Sequence, residues 1–311
     1  MDAEPMANNG DAGQDGVSVF CEVLAGAIDI HVHAAPDVFP RKFDDVELAM
    51  IARDAGYRGL LLKCHHFPTM GRAFHIRRQF PEFAFYGGLV LNSPTGGLNP
   101  SAVKQALEME AKEIWFPTLS AAHHRRQQGL GEPGITIVDS RGRVRPAVNE
   151  IVKAIAKADS ILGTGHLSEA EISVLVDRAL DAGVRKIVVT HPEWPPIAVS
   201  LDLQARFAET GRVFFERCYI VTLPGGGGVK LHQIAEAIRT VGWQSTVLAT
   251  DLGQATNPCP VKGMHTYVRR LAAHGFTKAQ LRHMVVTNPT RLLGLTLAIP
   301  ERATEEVRAS V

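Results

Sequence analysis

Short apolar runs along the chain are followed by polar loops, and then by stretches whose apolar residues recur at helical spacing. Eight such runs stand out. They centre on Ala27–His31, Gly59–Lys63, Tyr86–Leu91, Glu113–Thr118, Ile161–Gly163, Lys186–Thr190, Val213–Ile220 and Thr246–Thr250. Most are rich in Ile, Val and Leu, which suits strands buried on both faces of a parallel sheet. Between them, Val148, Ile151, Val152, Ile155 and Ala156 fall on one helical face, and Ile172, Leu175, Val176, Ala179 and Leu180 repeat the pattern. Ser168 with Glu171, and Thr277 with Gln280, have capping-box spacing at helix starts. Gly56 and Gly183 sit where helices should stop in a left-handed turn.

One junction occurs twice. Asp54-Ala55-Gly56-Tyr57-Arg58 leads into the second strand, and Asp181-Ala182-Gly183-Val184-Arg185 into the sixth. A repeated strand–helix unit of this number and size predicts an α/β fold, a closed (β/α)₈ barrel of the TIM type. The alternative is an open doubly wound sheet. The first strand has no G-x-G-x-x-G after it, and no phosphate-binding P-loop occurs. The expected organisation is a flexible polar tail over 1–16, one barrel domain with C-terminal helices over 17–299, and a second tail over 300–311. The longest connection, from about Leu119 to Arg145, is polar and Gly-rich, and is expected over the barrel mouth as a lid or a subunit contact.

Composition narrows the function. The 311 residues are 45% apolar and 21% charged, and Lys plus Arg (33) nearly cancels Asp plus Glu (32) for a net charge of +1. Nothing in that balance attracts nucleic acid or an anionic membrane. No apolar run is long enough to span a bilayer, and the N-terminus does not read as a secretory signal. The four cysteines, Cys21, Cys64, Cys218 and Cys259, form no C-x-x-C pair, so a reducing cytoplasm is the expected setting.

In such a barrel, chemistry belongs at the C-terminal ends of the strands. Strand 1 ends in Asp29-Ile30-His31-Val32-His33, and alternation puts His31 and His33 on one side as a metal half-site. Strand 5 leads to His166, strand 6 to His191 and strand 8 to Asp251. A lone H-x-H is a weak signal, and any single histidine among the 13 is more often a surface or core residue than a ligand. Four strand ends that all present metal-type residues are far harder to reach by chance.

This pattern, with the segment Thr287-Asn288-Pro289-Thr290-Arg291-Leu292-Leu293-Gly294-Leu295, resembles the amidohydrolase superfamily of metal-dependent hydrolases from about Ala27 to Leu295. The resemblance implies one or two divalent metal ions, with zinc first and manganese or iron as alternatives. It implies that His31, His33 and Asp251 bind the more buried ion. His166 and His191 would bind a second ion, or one of them would contact substrate. Asp251 would also take the proton from the attacking water. Homo-oligomers are common among such barrels, and one is expected here with a small-molecule substrate.

The chain departs from the pattern at strand 4. Many two-metal relatives carry a bridging carboxylated Lys or Glu there, whereas this strand ends in Pro117-Thr118, with Lys112 and Glu113 at the opposite end. A substitute is sought on strand 2. Lys63 facing inward is expected to be neutral or carbamylated, because an ammonium beside two cations is implausible. Cys64 competes for the bridging role, and the bland alternative is that Lys63 points out of the barrel or pairs with a carboxylate. His65, His66, Asn92, Ser93, Thr118 and Trp194 are strand-end candidates for lining a substrate pocket, with His65, Asn92 and Thr118 the candidate substrate contacts. Glu216 and Cys218 alternate on strand 7 and can simply fill a barrel layer. The Gly225–Gly228 run reads as a hinge rather than an anion cradle.

The expected activity is hydrolysis of an amide, cyclic amide or imide, amidine or lactone. Two alternatives stand beside it: metal-dependent, non-oxidative decarboxylation of an aromatic acid, and a non-catalytic ligand-binding barrel. A PHP-type phosphoesterase also opens with H-x-H but usually ends in Asp-x-His, whereas Asp251 precedes Leu252-Gly253.

Overall fold

The computed structural model describes residues 22–131 and 133–297. Both expected tails lie outside the described residues. Eight strands run in the order β1 to β8, with every neighbouring pair parallel: β1 (Ile28–Val32), β2 (Gly59–Leu62), β3 (Ala84–Val90), β4 (Glu113–Trp115), β5 (Ile161–Gly163), β6 (Ile187–Thr190), β7 (Val213–Cys218) and β8 (Thr246–Ala249). A helix follows each strand, so the molecule is a (β/α)₈ barrel.

The last seam closes just beyond β8. Val32 bridges Leu252, the Asp251 amide donates to the His31 carbonyl at 2.8 Å, and the His33 amide donates to the Leu252 carbonyl at 2.8 Å. The residues that close the barrel are thus those the sequence marks for chemistry. A β-bulge in β1 lies within the same stretch: Asp29 pairs with Leu60 but Val32 pairs with Leu62, which leaves an extra residue on β1. Across the bulge, Asp29 turns to Thr250 at the seam and His31 turns to the barrel interior.

The helices bury the faces read from the sequence. Val148, Ile151, Val152 and Ile155 are buried on the helix Pro146–Ala158, and Ile172, Leu175, Val176 and Ala179 on the helix Glu169–Asp181. Full burial of each such large aliphatic side chain stabilises the fold by about 1.5–3 kcal/mol. Both expected capping boxes form, at Ser168 with Glu171 and at Thr277 with Gln280. Asp44 and Glu47 form another ahead of the helix Asp45–Asp54. Gly56 and Gly183 end their helices with φ of 78° and 85°.

β4 and β7 stop two or more residues earlier than expected. β4 ends at Trp115 because Pro117 has no N–H to extend the ladder. β7 ends at Cys218, where Tyr219–Thr222 tighten into a 3₁₀ turn. The connection from Leu119 to Arg145 has secondary structure of its own. It holds the helix Ala122–Gln127 and the bridges Ala121↔Ile135 and Val138↔Val144. At the far end of the barrel, the Asn288 side-chain amide donates to the Gln244 and Thr246 carbonyls at 3.0 and 2.7 Å, which anchors the Asn-Pro-Thr-Arg-Leu segment under β8. No described helix is long and apolar enough to cross a membrane.

Candidate metal centre

β1, the turns after β5 and β6, and the end of β8 bring His31, His33, His166, His191 and Asp251 to the C-terminal rim. Asp251 sits at the centre. Its Oδ1 lies 3.0 Å from His33 Nε2 and 3.2 Å from His31 Nε2, and its Oδ2 lies 3.9 Å from His191 Nε2. The rings of His166 and His191 are 5.0 Å apart, and those of His31 and His191 are 6.2 Å apart. All four histidines are buried. His191 and Asp251 both adopt left-handed backbone, with φ of 29° and 52°. Such strain costs roughly 1–3 kcal/mol per residue and tends to gather at functional sites.

The electrostatics favour a cation at His31. Burial alone would suppress its charge, yet the carboxylates of Asp251 and Glu216 outweigh that penalty and lift its pKa to about 9, with Lys63 opposing them. Burial lowers His33 to about 4 and His191 to about 3, so both rings are neutral near pH 7 and free to act as ligands. Burial would raise Asp251, but His31 and His33 hold it well below the usual carboxylate range, so it is ionised.

Two buried ring nitrogens, His166 Nε2 and His191 Nδ1, have no hydrogen-bond partner among the described residues. Unpaired buried polar atoms are costly, and several in one place call for an absent partner. Neutral imidazoles beside an ionised carboxylate, with a local preference for positive charge, fit a divalent cation. The donor set suits zinc, manganese or iron.

Further residues support this cluster. Glu216 Oε2 accepts from His31 Nδ1 at 3.1 Å, both side chains being fully buried. Cys218 lies beyond it, with Sγ 3.7 Å from the same nitrogen. His124, from the helix after β4, places its Nδ1 3.0 Å from His166 Nδ1. Trp194 packs against His166 and His191 with ring centroids 5.1 Å from each. Of these, Trp194 is among the pocket candidates read from the sequence, and Glu216, Cys218 and His124 are not. For Glu216, the signal lay in its spacing from Cys218 at a strand end. For His124, it lay in the His123-His124 pair opening the long connection.

Lys63 points into the barrel. It is 1% exposed, with Nζ 3.0 Å from His31 Nε2 and 5.4 Å from the centre of the Trp115 ring. Trp115 occupies the inner face of β4, where its ring stands 6.4 Å from His31. Beneath it, Glu113 is buried with both oxygens unpartnered among the described residues, and burial, then Glu216, pushes its pKa well up. Cys64 lies elsewhere, grouped with Asp37 and His66. Arg41 binds Asp37 at 2.6 Å and reaches His33 Nδ1 at 3.3 Å, which braces the loop after β1 against the site.

His65, Asn92 and Thr118 form one network at the same rim. His65 Nδ1 is 2.9 Å from Thr118 Oγ1, and the Asn92 side-chain amide donates to Thr118 Oγ1 at 2.7 Å. The His65 ring stacks 5.1 Å from His33 and lies 6.2 Å from His166. Burial, with Lys63 and His33 adding to it, holds His65 well below its usual pKa.

Residues 26–216 match the family of unknown function DUF6282, which covers more than half of the chain. The chain belongs to DUF6282. No curated protein matches it in sequence. Solved structures share this barrel fold at low sequence identity. An amidohydrolase from Pseudomonas aeruginosa superposes with a TM-score of 0.63 at 11% identity, covering 89% of this chain and 98% of that one. A structure described as a 2-pyrone-4,6-dicarboxylic acid hydrolase from Pseudomonas putida gives 0.59 at 16% identity, covering 88% and 99%. A 2,6-dihydroxybenzoate decarboxylase from Rhizobium gives 0.51 at 14% identity, covering 86% and 98%. The DUF6282 match spans His31, His33, His166 and His191 and stops before Asp251.

Proposed function

We propose that this protein is a metal-dependent hydrolase of small molecules that cleaves an amide, cyclic amide or imide, amidine or lactone bond. The observation that carries the reading is the convergence of His31, His33 and His191 on ionised Asp251, with His166 beside His191 and two buried ring nitrogens left unpaired among the described residues. His31, His33 and Asp251 would hold the more buried ion, with His166 and His191 beside them. When bound there, the ion would supply Lewis acidity that lowers the pKa of water towards neutrality and polarises a carbonyl. Asp251 would take the proton of the attacking water and pass it to the leaving nitrogen or oxygen. Trp194 packs against His166 and His191 at the edge of the centre.

Asp251→Asn tests this role. The variant keeps the shape but loses the base, so turnover on a panel of amides, imides and lactones should fall by roughly 10²–10⁴-fold with an unchanged circular dichroism spectrum. A variant with normal turnover removes Asp251 from the mechanism. Lys63 in carbamylated form would add an anion beside His31. Metal uptake that depends on bicarbonate supports that form, and uptake indifferent to it excludes the carbamate.

Decarboxylation of an aromatic acid is the second reading. It is favoured by β4, which offers Trp115 where a bridging carboxylate would be expected. Carbon dioxide released from an aromatic acid, without water added across a bond, would select it.

A further inference from the structure

The tautomer of His65 follows from its neighbours without reference to any ligand. The Thr118 and Ser120 amides donate to one side-chain atom of Asn92, at 2.8 and 3.1 Å. A backbone N–H can only donate, so that atom is Oδ1. The other end of Asn92 is then the NH₂ group, and it donates to the His65 carbonyl at 3.0 Å and to Thr118 Oγ1 at 2.7 Å. Thr118 Oγ1 therefore accepts a hydrogen bond from Asn92. Among the described residues, its own proton has one acceptor within reach, His65 Nδ1 at 2.9 Å. Asn92 and Thr118 are both buried, at 1% and 0% exposure, so water does not compete for these bonds. A hydroxyl that donates to Nδ1 leaves the ring proton on Nε2. Among the described residues, Nε2 makes no hydrogen bond of its own, and the ring stands between those of His33 and His166.

We propose that His65 is a fixed hydrogen-bond donor to an acceptor oxygen of the substrate, and that Asn92 and Thr118 are the positioning residues that lock its Nε2–H tautomer. The proposal rests on the reading of the rim as a substrate-processing centre. It gives His65 a substrate contact, and it gives Asn92 and Thr118 a role away from the substrate. It also narrows the ligand: the group beside His65 is a carbonyl or carboxylate oxygen, not an ammonium or an N–H. A donor fixed in advance stabilises charge developing on such an oxygen without reorganising.

The test uses the full chain labelled with ¹⁵N-histidine, loaded with zinc, and assigned with the His65→Phe variant. The expected ¹H–¹⁵N spectrum shows His65 protonated on Nε2 and bare on Nδ1. Thr118→Ser keeps that signature, and Thr118→Val shifts it towards the Nδ1–H form. Acetohydroxamate, a probe that carries a carbonyl oxygen, should move the Nε2–H signal and bind about tenfold more weakly to His65→Phe, the loss of one hydrogen bond. A proton on Nδ1 in the wild type overturns the proposal, as does a probe that leaves the Nε2–H signal unmoved. Failure of the protein to take up zinc counts against the metal reading instead, because the tautomer is set by Asn92 and Thr118 and is read equally in metal-free protein.

Discussion

Glu216 fixes His31 by accepting from its Nδ1, which turns Nε2 towards Asp251. A carboxylate behind a ligand histidine holds the ring's orientation and raises its basicity, and its loss typically weakens metal binding about 10–100-fold. Glu216→Gln should therefore weaken zinc binding by that factor in a chelator competition while zinc-free protein melts within a few degrees of wild type. Equal zinc affinity in the two proteins would reduce Glu216 to filler of the barrel core. The five metal-type residues were legible in the sequence because each ends a strand. Glu216 and His124 were not, because their roles depend on what stands across the barrel. Spacing along one strand marks Glu216 as a layer residue, and only closure of the barrel brings it to His31.

Helices and turns decide where those residues point. Gly165 holds φ of 62° just before His166, and a Cβ there would stand 2.2 Å from the Phe116 carbonyl oxygen. Gly165→Ala meets both a backbone that disfavours side chains and a rigid neighbour, so it should cost more than about 1 kcal/mol of stability. It should also displace His166 and weaken metal retention. A melting temperature and metal content equal to wild type would show that the turn can relax. Periodicity and caps made the helices readable. The end of β4 was harder, because an apolar run continues to Phe116 while Pro117 removes the N–H that a ladder needs. The bulge in β1 left no mark in the apolar pattern, yet it allows one strand to serve both the seam and the interior.

The barrel as a whole depends on its last seam. Asp29 accepts from the Thr250 amide at 3.1 Å and lies 2.5 Å from the Thr250 hydroxyl, which ties β1 to the end of β8. Burial raises the Asp29 pKa to about 7, against the hydrogen bonds from Thr250 that lower it. The unfolded chain has the ordinary aspartate value near 4, so the folded state binds the extra proton between these limits. The stability that Asp29 contributes is thus fully present below about pH 4 and is lost as pH rises through about 7. Denaturant titrations of wild type and Asp29→Asn at several pH values should differ with a slope of up to about 1.4 kcal/mol per pH unit in that window. Parallel curves would mean that Asp29 keeps an ordinary pKa. The fold class was readable because eight similar units leave few ways to close, whereas the seam chemistry joins Asp29 and Thr250, 221 positions apart.

The central claim is that this rim holds metal, and metal content per chain measures it. Protein purified without chelator or metal-binding tag, analysed by plasma mass spectrometry, should carry one or two divalent ions per chain, with loss of metal in His33→Ala and His191→Ala. Protein that holds no metal after reconstitution with zinc or manganese would contradict the assignment of His31, His33, His166, His191 and Asp251.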